Sequence, residues 1–93
     1  MSQSAVASVA IQNRLGLHAR PAMMFVEEAS GFASDIRVRR TDSTETVDGK
    51  SIMQMMVLAA TQHTEIEIRA EGPDAEDAVS RLVALVDSRF NEE

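Results

Sequence analysis

The sequence predicts an α+β fold: a four-stranded antiparallel sheet, wet on one face and covered on the other by three helices, in the order β-α-β-β-α-β-α. Three observations lead there. Residues 64–72, TEIEIRAEG, and residues 35–40, DIRVRR, alternate between apolar and charged, the period of a strand with one face in water. Apolar residues after Ala19 and after Asp74 recur at three- and four-residue spacing, the period of a helix with one buried face. The polar link between strands 35–40 and 44–48 is short, so those neighbours form an antiparallel hairpin. An antiparallel sheet with a solvated face and helices on the other is a two-layer sandwich.

Each element follows in turn. Residues 5–11, AVASVAI, alternate weakly and suit a first strand, and NRLG is a turn-like exit. From Ala19, residues Ala22, Met23, Val26 and Ala29 fall on one helical face, with Gly31 as C-cap. Pro21 has no N–H and fits only the first turn, so the helix must begin near His18. In DIRVRR, Ile36 and Val38 point inward while Arg37 and Arg39 point outward. A short strand, TETVD, leads to an Asp48-Gly49 turn. Ser51 with Gln54 fits a capping box, in which each side chain bonds the other residue's backbone N–H at a helix start. After the TEIEIRAEG strand, Gly72 serves as cap and Pro73 as first-turn residue, with acids at the positive end of the dipole. The last helix buries Ala75, Ala78, Val79, Leu82, Val86 and Phe90.

A chain of 93 residues is read as a single domain, residues 1–93, and its 44% apolar content excludes disorder. Without cysteine there is no thiolate metal site, and no His, Asp and Glu spacing suggests a metal or cofactor. The N-terminus lacks the pattern of a secretory signal, and the longest apolar stretch is too short for a membrane span, so a cytoplasmic monomer is expected. Net charge is −6, divided as +2 over residues 1–40 and −8 over residues 41–93. That balance, with no Trp or Tyr to stack on bases, argues against nucleic-acid binding.

The chemistry concentrates in GLHARPA, residues 16–22. Gly16 permits a left-handed or close backbone approach just before His18. The helix start beyond it offers the N–H groups of Ala19 and Arg20 to an anion. Arg20 adds a guanidinium suited to a phosphate oxyanion. The same helix dipole disfavours imidazolium, leaving the ring lone pair that a nucleophile needs. Nucleophile, donors and charge clamp within three residues fit reversible phosphoryl capture on a ring nitrogen. A capping histidine is the plainer alternative. Ser51 reads first as a helix cap, but a phosphate there would also be tolerated. In SIMQMMVLA, Met55, Val57 and Leu58 are the candidates for the core. Ile52, Met53 and Met56 cannot all be inside with them, and exposed methionines suit an adaptable protein-protein surface. His63 reads as a turn residue with positive φ.

GLHARPA closely resembles the active-site motif of HPr, the histidine-containing phosphocarrier family of the bacterial phosphotransferase system, and GKSIM resembles the segment around that family's regulatory serine. The resemblance covers nearly the whole chain. It implies an HPr-like open-faced β-sandwich and a carrier, not an enzyme. It further implies that His18 accepts phosphate on Nδ1 from enzyme I and passes it to an enzyme IIA domain, that Arg20 stabilises the phosphoryl group, and that Ile52, Met53 and Met56 contact partners. Ser51 falls on the serine modified by HPr kinase/phosphorylase in some bacteria. GLHARPAM, the hairpin RRTDSTETVDG, AEGP and the ending DSRFNEE are more similar to NPr, the nitrogen-related branch, whereas GKSIM is more similar to the serine-switched branch. His63 stands where the family usually has glycine. A regulatory binding module of the same fold, acting by docking alone, is the competing reading; a complete His18-Arg20-Pro21 set favours transfer.

Overall fold

The computed structural model describes residues 3–91. The elements are β1 (Gln3–Ala10), α1 (Ala19–Ser30), β2 (Asp35–Arg40), β3 (Thr46–Asp48), α2 (Ile52–Val57), β4 (Glu65–Gly72) and α3 (Ala75–Asp87), followed by a short turn over Arg89–Asn91. The strands form one sheet in the order β1-β4-β2-β3, with every neighbouring pair antiparallel. This is the predicted four-stranded sheet with three helices, an α+β open-faced sandwich.

Period-two alternation sorts the sheet's two faces. Val9, Ile36, Val38, Val47, Ile66, Ile68 and Ala70 are buried beneath the helices. On the opposite face Arg39 bridges to Glu67, donating through Nε at 3.1 Å and Nη2 at 3.2 Å to its two carboxylate oxygens. Arg69 reaches the same carboxylate at 3.6 Å. Charges on neighbouring strands therefore neutralise one another where the sheet meets water.

The structure shifts several boundaries and faces. β1 begins at Gln3 rather than residue 5 and ends before Ile11, whose N–H instead bonds the Thr64 carbonyl at 2.9 Å. β3 is confined to Thr46–Asp48. On α1 the buried stripe is Pro21, Ala22, Phe25 and Ala29, while Met23 is exposed and Val26 only half-buried. Two stripes share Ala22 and Ala29, and the one carrying the phenyl ring takes the core because it removes the larger apolar area from water. Gly31 does end α1, but in the right-handed region at φ −77, so no left-handed cap is formed.

The start of α3 also differs. Gly72 is the last residue of β4, not a helix cap, and Asp74 occupies the N-cap position. Gly72 is needed for another reason: at φ +148, a Cβ there would lie 2.6 Å from the Ser34 hydroxyl. Asp74 does not cap its own helix. Its carboxylate accepts the N–H groups of Ala33 and Ser34, each at 2.9 Å, and the Ser34 hydroxyl. The α1–β2 loop is thereby fastened to the head of α3. Phe90 is buried as expected, but it enters the core from the turn after α3, where Arg89, Phe90 and Asn91 all have positive φ.

The Ser34 hydroxyl, with the Ala33 N–H, holds the Asp74 carboxyl below its ordinary value of 3.8. A carboxylate depressed in the folded state stabilises the protein above its unfolded value, and that contribution disappears as pH falls through the lower folded value. Asp74→Asn is therefore expected to unfold at lower denaturant than wild type near neutral pH, the two midpoints converging as pH falls through the lowered folded value of the carboxyl. Denaturation series at several pH values check this; a gap that ignores pH would mean that the charge is not what fastens the loop.

Candidate functional site

The segment leading to α1 is held by short-range bonds. Asn13 is fully buried and its side-chain amide donates to the Gly16 carbonyl at 2.6 Å. The Gly16 N–H returns to the Asn13 carbonyl at 3.1 Å, closing a turn. Gly16 has φ +71, as the sequence suggested, and a Cβ on it would lie 2.6 Å from the Ala60 carbonyl oxygen. Leu17 then donates to that same carbonyl at 2.8 Å and buries its side chain. The chain is thus pinned to the loop before β4 one residue ahead of His18.

His18 is the N-cap residue of α1, with extended backbone at φ −83 and ψ −172. Its carbonyl accepts the Ala22 N–H at 3.0 Å, while its imidazole does not cap the helix. Pro21 lies in the first turn, where its missing N–H costs nothing. What remains at the helix start is the pair of N–H groups on Ala19 and Arg20, which have no acceptor among the described residues. The helix's positive end therefore presents two donors beside the ring.

His18 and Arg20 open onto one surface depression of about 750 Å³. Leu15, Arg14 and Arg89 line it too. Gln62 completes one wall, its side-chain amide donating to the Gln12 carbonyl at 3.1 Å. Sequence reasoning missed these last five residues. Arg14 could have been suspected from its closeness to Gly16; Arg89 carries no local signal, since only the fold returns it to His18.

The second candidate region lies at α2. Ser51 is its N-cap, the hydroxyl accepting the Gln54 N–H at 3.3 Å. The other half of the expected capping box is not formed. Gln54 Oε1 accepts instead from the Asp48 N–H at 2.9 Å, and the Ser51 N–H bonds the Asp48 carbonyl at 3.1 Å. The glutamine braces the preceding turn because that turn already satisfies the serine's N–H. Lys50 Nζ donates to the Phe32 carbonyl at 2.7 Å, tying this segment to the end of α1. Met55 and Leu58 are core residues, but Val57 is not: it is 66% exposed. Ile52 is half-buried, Met53 is 78% exposed and Met56 42%. Leu15 at 69% and Met23 at 49% add apolar surface that the sequence did not foretell.

His63 has the expected positive φ, 76°, and its N–H bonds the Ile11 carbonyl at 2.7 Å. Among the described residues no cluster of His, Asp and Glu could hold a metal ion, and no helix is long and apolar enough to cross a membrane.

A family model described as "PTS HPr component phosphorylation site" matches residues 6–88. The phosphocarrier protein HPr of Pseudomonas aeruginosa is 43% identical over 84 residues, covering 90% of this chain and 92% of that protein. The phosphocarrier protein NPr of Escherichia coli strain K12 is 36% identical, covering 92% of this chain and 94% of that one. Among solved structures, HPr-C-His from Thermoanaerobacter tengcongensis superposes with a TM-score of 0.89 at 43% identity, covering 96% and 98% of the two chains.

Gly16→Ala should be costly at this site. It places a side chain at left-handed φ and drives a methyl into the Ala60 carbonyl, so a loss of at least about 2 kcal/mol is expected in equilibrium unfolding. An unchanged midpoint would mean that the approach to His18 has slack that the 2.6 Å separation denies.

Proposed function

The chain belongs to the HPr phosphocarrier family of the phosphotransferase system, and from that premise we propose that it takes a phosphoryl group from enzyme I onto Nδ1 of His18 and delivers it to an enzyme IIA domain. The observation that carries this reading is the coincidence at the start of α1. An imidazole not used for capping shares a solvent-open depression with the Arg20 guanidinium, beside the donors of Ala19 and Arg20.

The chemistry needs little else. The lone pair of the His18 ring nitrogen forms the new N–P bond as the donor's P–N bond breaks, that electron pair remaining with the donor ring. Negative charge on the transferring oxygens meets Arg20 and the two helix N–H groups, which are already oriented before the group arrives. Delivery to the acceptor reverses the same steps. The open depression is consistent with a carrier whose phosphoryl group must be reached by two different proteins in turn. The exposed Met53 and Met56, with the half-buried Ile52, are the surface we assign to those partners. Flexible thioethers can repack against more than one of them.

Ser51 is assigned a second role as a brake. Its hydroxyl caps α2 and adjoins the methionine surface, so phosphorylation by an HPr kinase/phosphorylase would place a dianion where partners dock. The helix start would accept that charge, while an apolar or acidic partner face would not.

Incubation with enzyme I and labelled phosphoenolpyruvate tests the carrier step. Acid-labile, alkali-stable label is expected on wild type and none on His18→Ala; Arg20→Ala should slow labelling roughly 100-fold. An unlabelled wild type would refute the assignment. For the brake, an HPr kinase with ATP should add acid-stable phosphate to wild type and not to Ser51→Ala. Ser51→Asp should take phosphate from enzyme I more slowly. Equal kinase labelling of Ser51→Ala would remove Ser51 from this role.

A further inference from the structure

The chain has eight arginines. Arg37, Arg39, Arg40, Arg69 and Arg81 each lie within 4.0 Å of a carboxylate. The remaining Arg14, Arg20 and Arg89 have no such partner among the described residues, and all three line the depression that holds His18. Among the described residues the arginines are therefore matched with carboxylates except around one imidazole, although the net charge is −6 and acids are plentiful.

Arg89 is brought there by an unusual backbone. Arg89, Phe90 and Asn91 have φ of 62, 53 and 60, in the left-handed region that ordinary side chains avoid. Such a turn costs free energy at each residue and persists only where something holds it. Phe90, only 2% exposed, is the anchor. Its burial holds the turn after α3 in place, with the neighbouring arginine at the depression. Arg14 is presented from within the turn closed by Asn13 and Gly16.

We propose that Arg14 and Arg89 join Arg20 in holding the dianionic phosphoryl group on His18, so that the phosphorylated state of this protein is more stable than a single guanidinium would make it. The inference rests on the carrier reading above. No new reaction is added. The N–P bond forms and breaks as already described, and the two further arginines act on the charge of the three phosphoryl oxygens. Their effect belongs to the phosphorylated form and so to the position of the transfer equilibrium with enzyme I.

The test compares wild type, Arg14→Gln, Arg89→Gln and the double variant. Arg37→Gln, on the open sheet face, removes the same charge elsewhere. Each protein is brought to equilibrium with phosphorylated enzyme I, and the phosphorylated fraction is measured. Each of the two arginines removed should shift the equilibrium away from the carrier by about two- to fivefold, with Arg37→Gln unchanged. In phosphorus NMR the phosphohistidine of the double variant should titrate at higher pH than that of wild type. Arg89→Lys, which keeps the charge, should recover part of the effect; Arg14→Gln gives an independent reading should Arg89→Gln disturb the turn. No label on wild type would overturn the carrier reading and this inference with it. Labelled variants with a wild-type equilibrium and titration would overturn the inference alone. So would a raised KM for enzyme I with both of those unmoved, because the arginines would then serve the partner and not the phosphoryl group.

Discussion

The site depends on one constraint: the chain must pass the Ala60 carbonyl at backbone contact just before α1 begins. Gly16 makes that passage possible, because any side chain would strike Ala60, and Leu17 completes it by donating to the same oxygen at 2.8 Å. Asn13 locks the turn from inside the protein. With the approach fixed, Pro21 fixes the exit, since it tolerates only the first helical turn. Between them His18 has one place to be, at the boundary of extended and helical backbone. Its position is therefore set by contacts on both flanks and not by bonds made through its ring to the helix.

Much of this was written into local sequence. Gly16, Pro21 and Ser51 act through rules that span a few residues, and the alternation of DIRVRR and TEIEIRAEG reports the sheet's two faces directly. What escaped the sequence depends on residues far apart. Gln54 braces Asp48 and not Ser51 because the preceding turn has already used the serine's N–H. Asp74 caps the α1–β2 loop and not its own helix because Ser34 comes to meet it across the fold. The choice between Phe25 and Met23 for the core is invisible to periodicity, because both stripes satisfy it. Val57 is exposed because a helix of six residues turns too little surface inward to bury all its apolar side chains.

The candidate site divides the same way. His18, Ala19 and Arg20 are contiguous and could be read together. Arg14 and Arg89 could not, because a guanidinium has meaning there only once the turn after α3 has returned the chain to the start of α1.

Charge distribution explains how an acidic protein can host such a centre. The sequence places +2 in its first forty residues and −8 in the rest, yet Arg89 lies in the acidic part. Folding does not average these charges. It pairs the sheet arginines with carboxylates, spending their charge locally, and gathers around His18 the three guanidiniums that have no carboxylate partner among the described residues. At physiological salt, exposed charges more than about 8 Å apart are largely screened from one another, so acids beyond that range do little to cancel this patch. A phosphoryl group arriving at His18 would meet the local field and not the net charge, and an anion-binding site and a net charge of −6 are compatible for that reason.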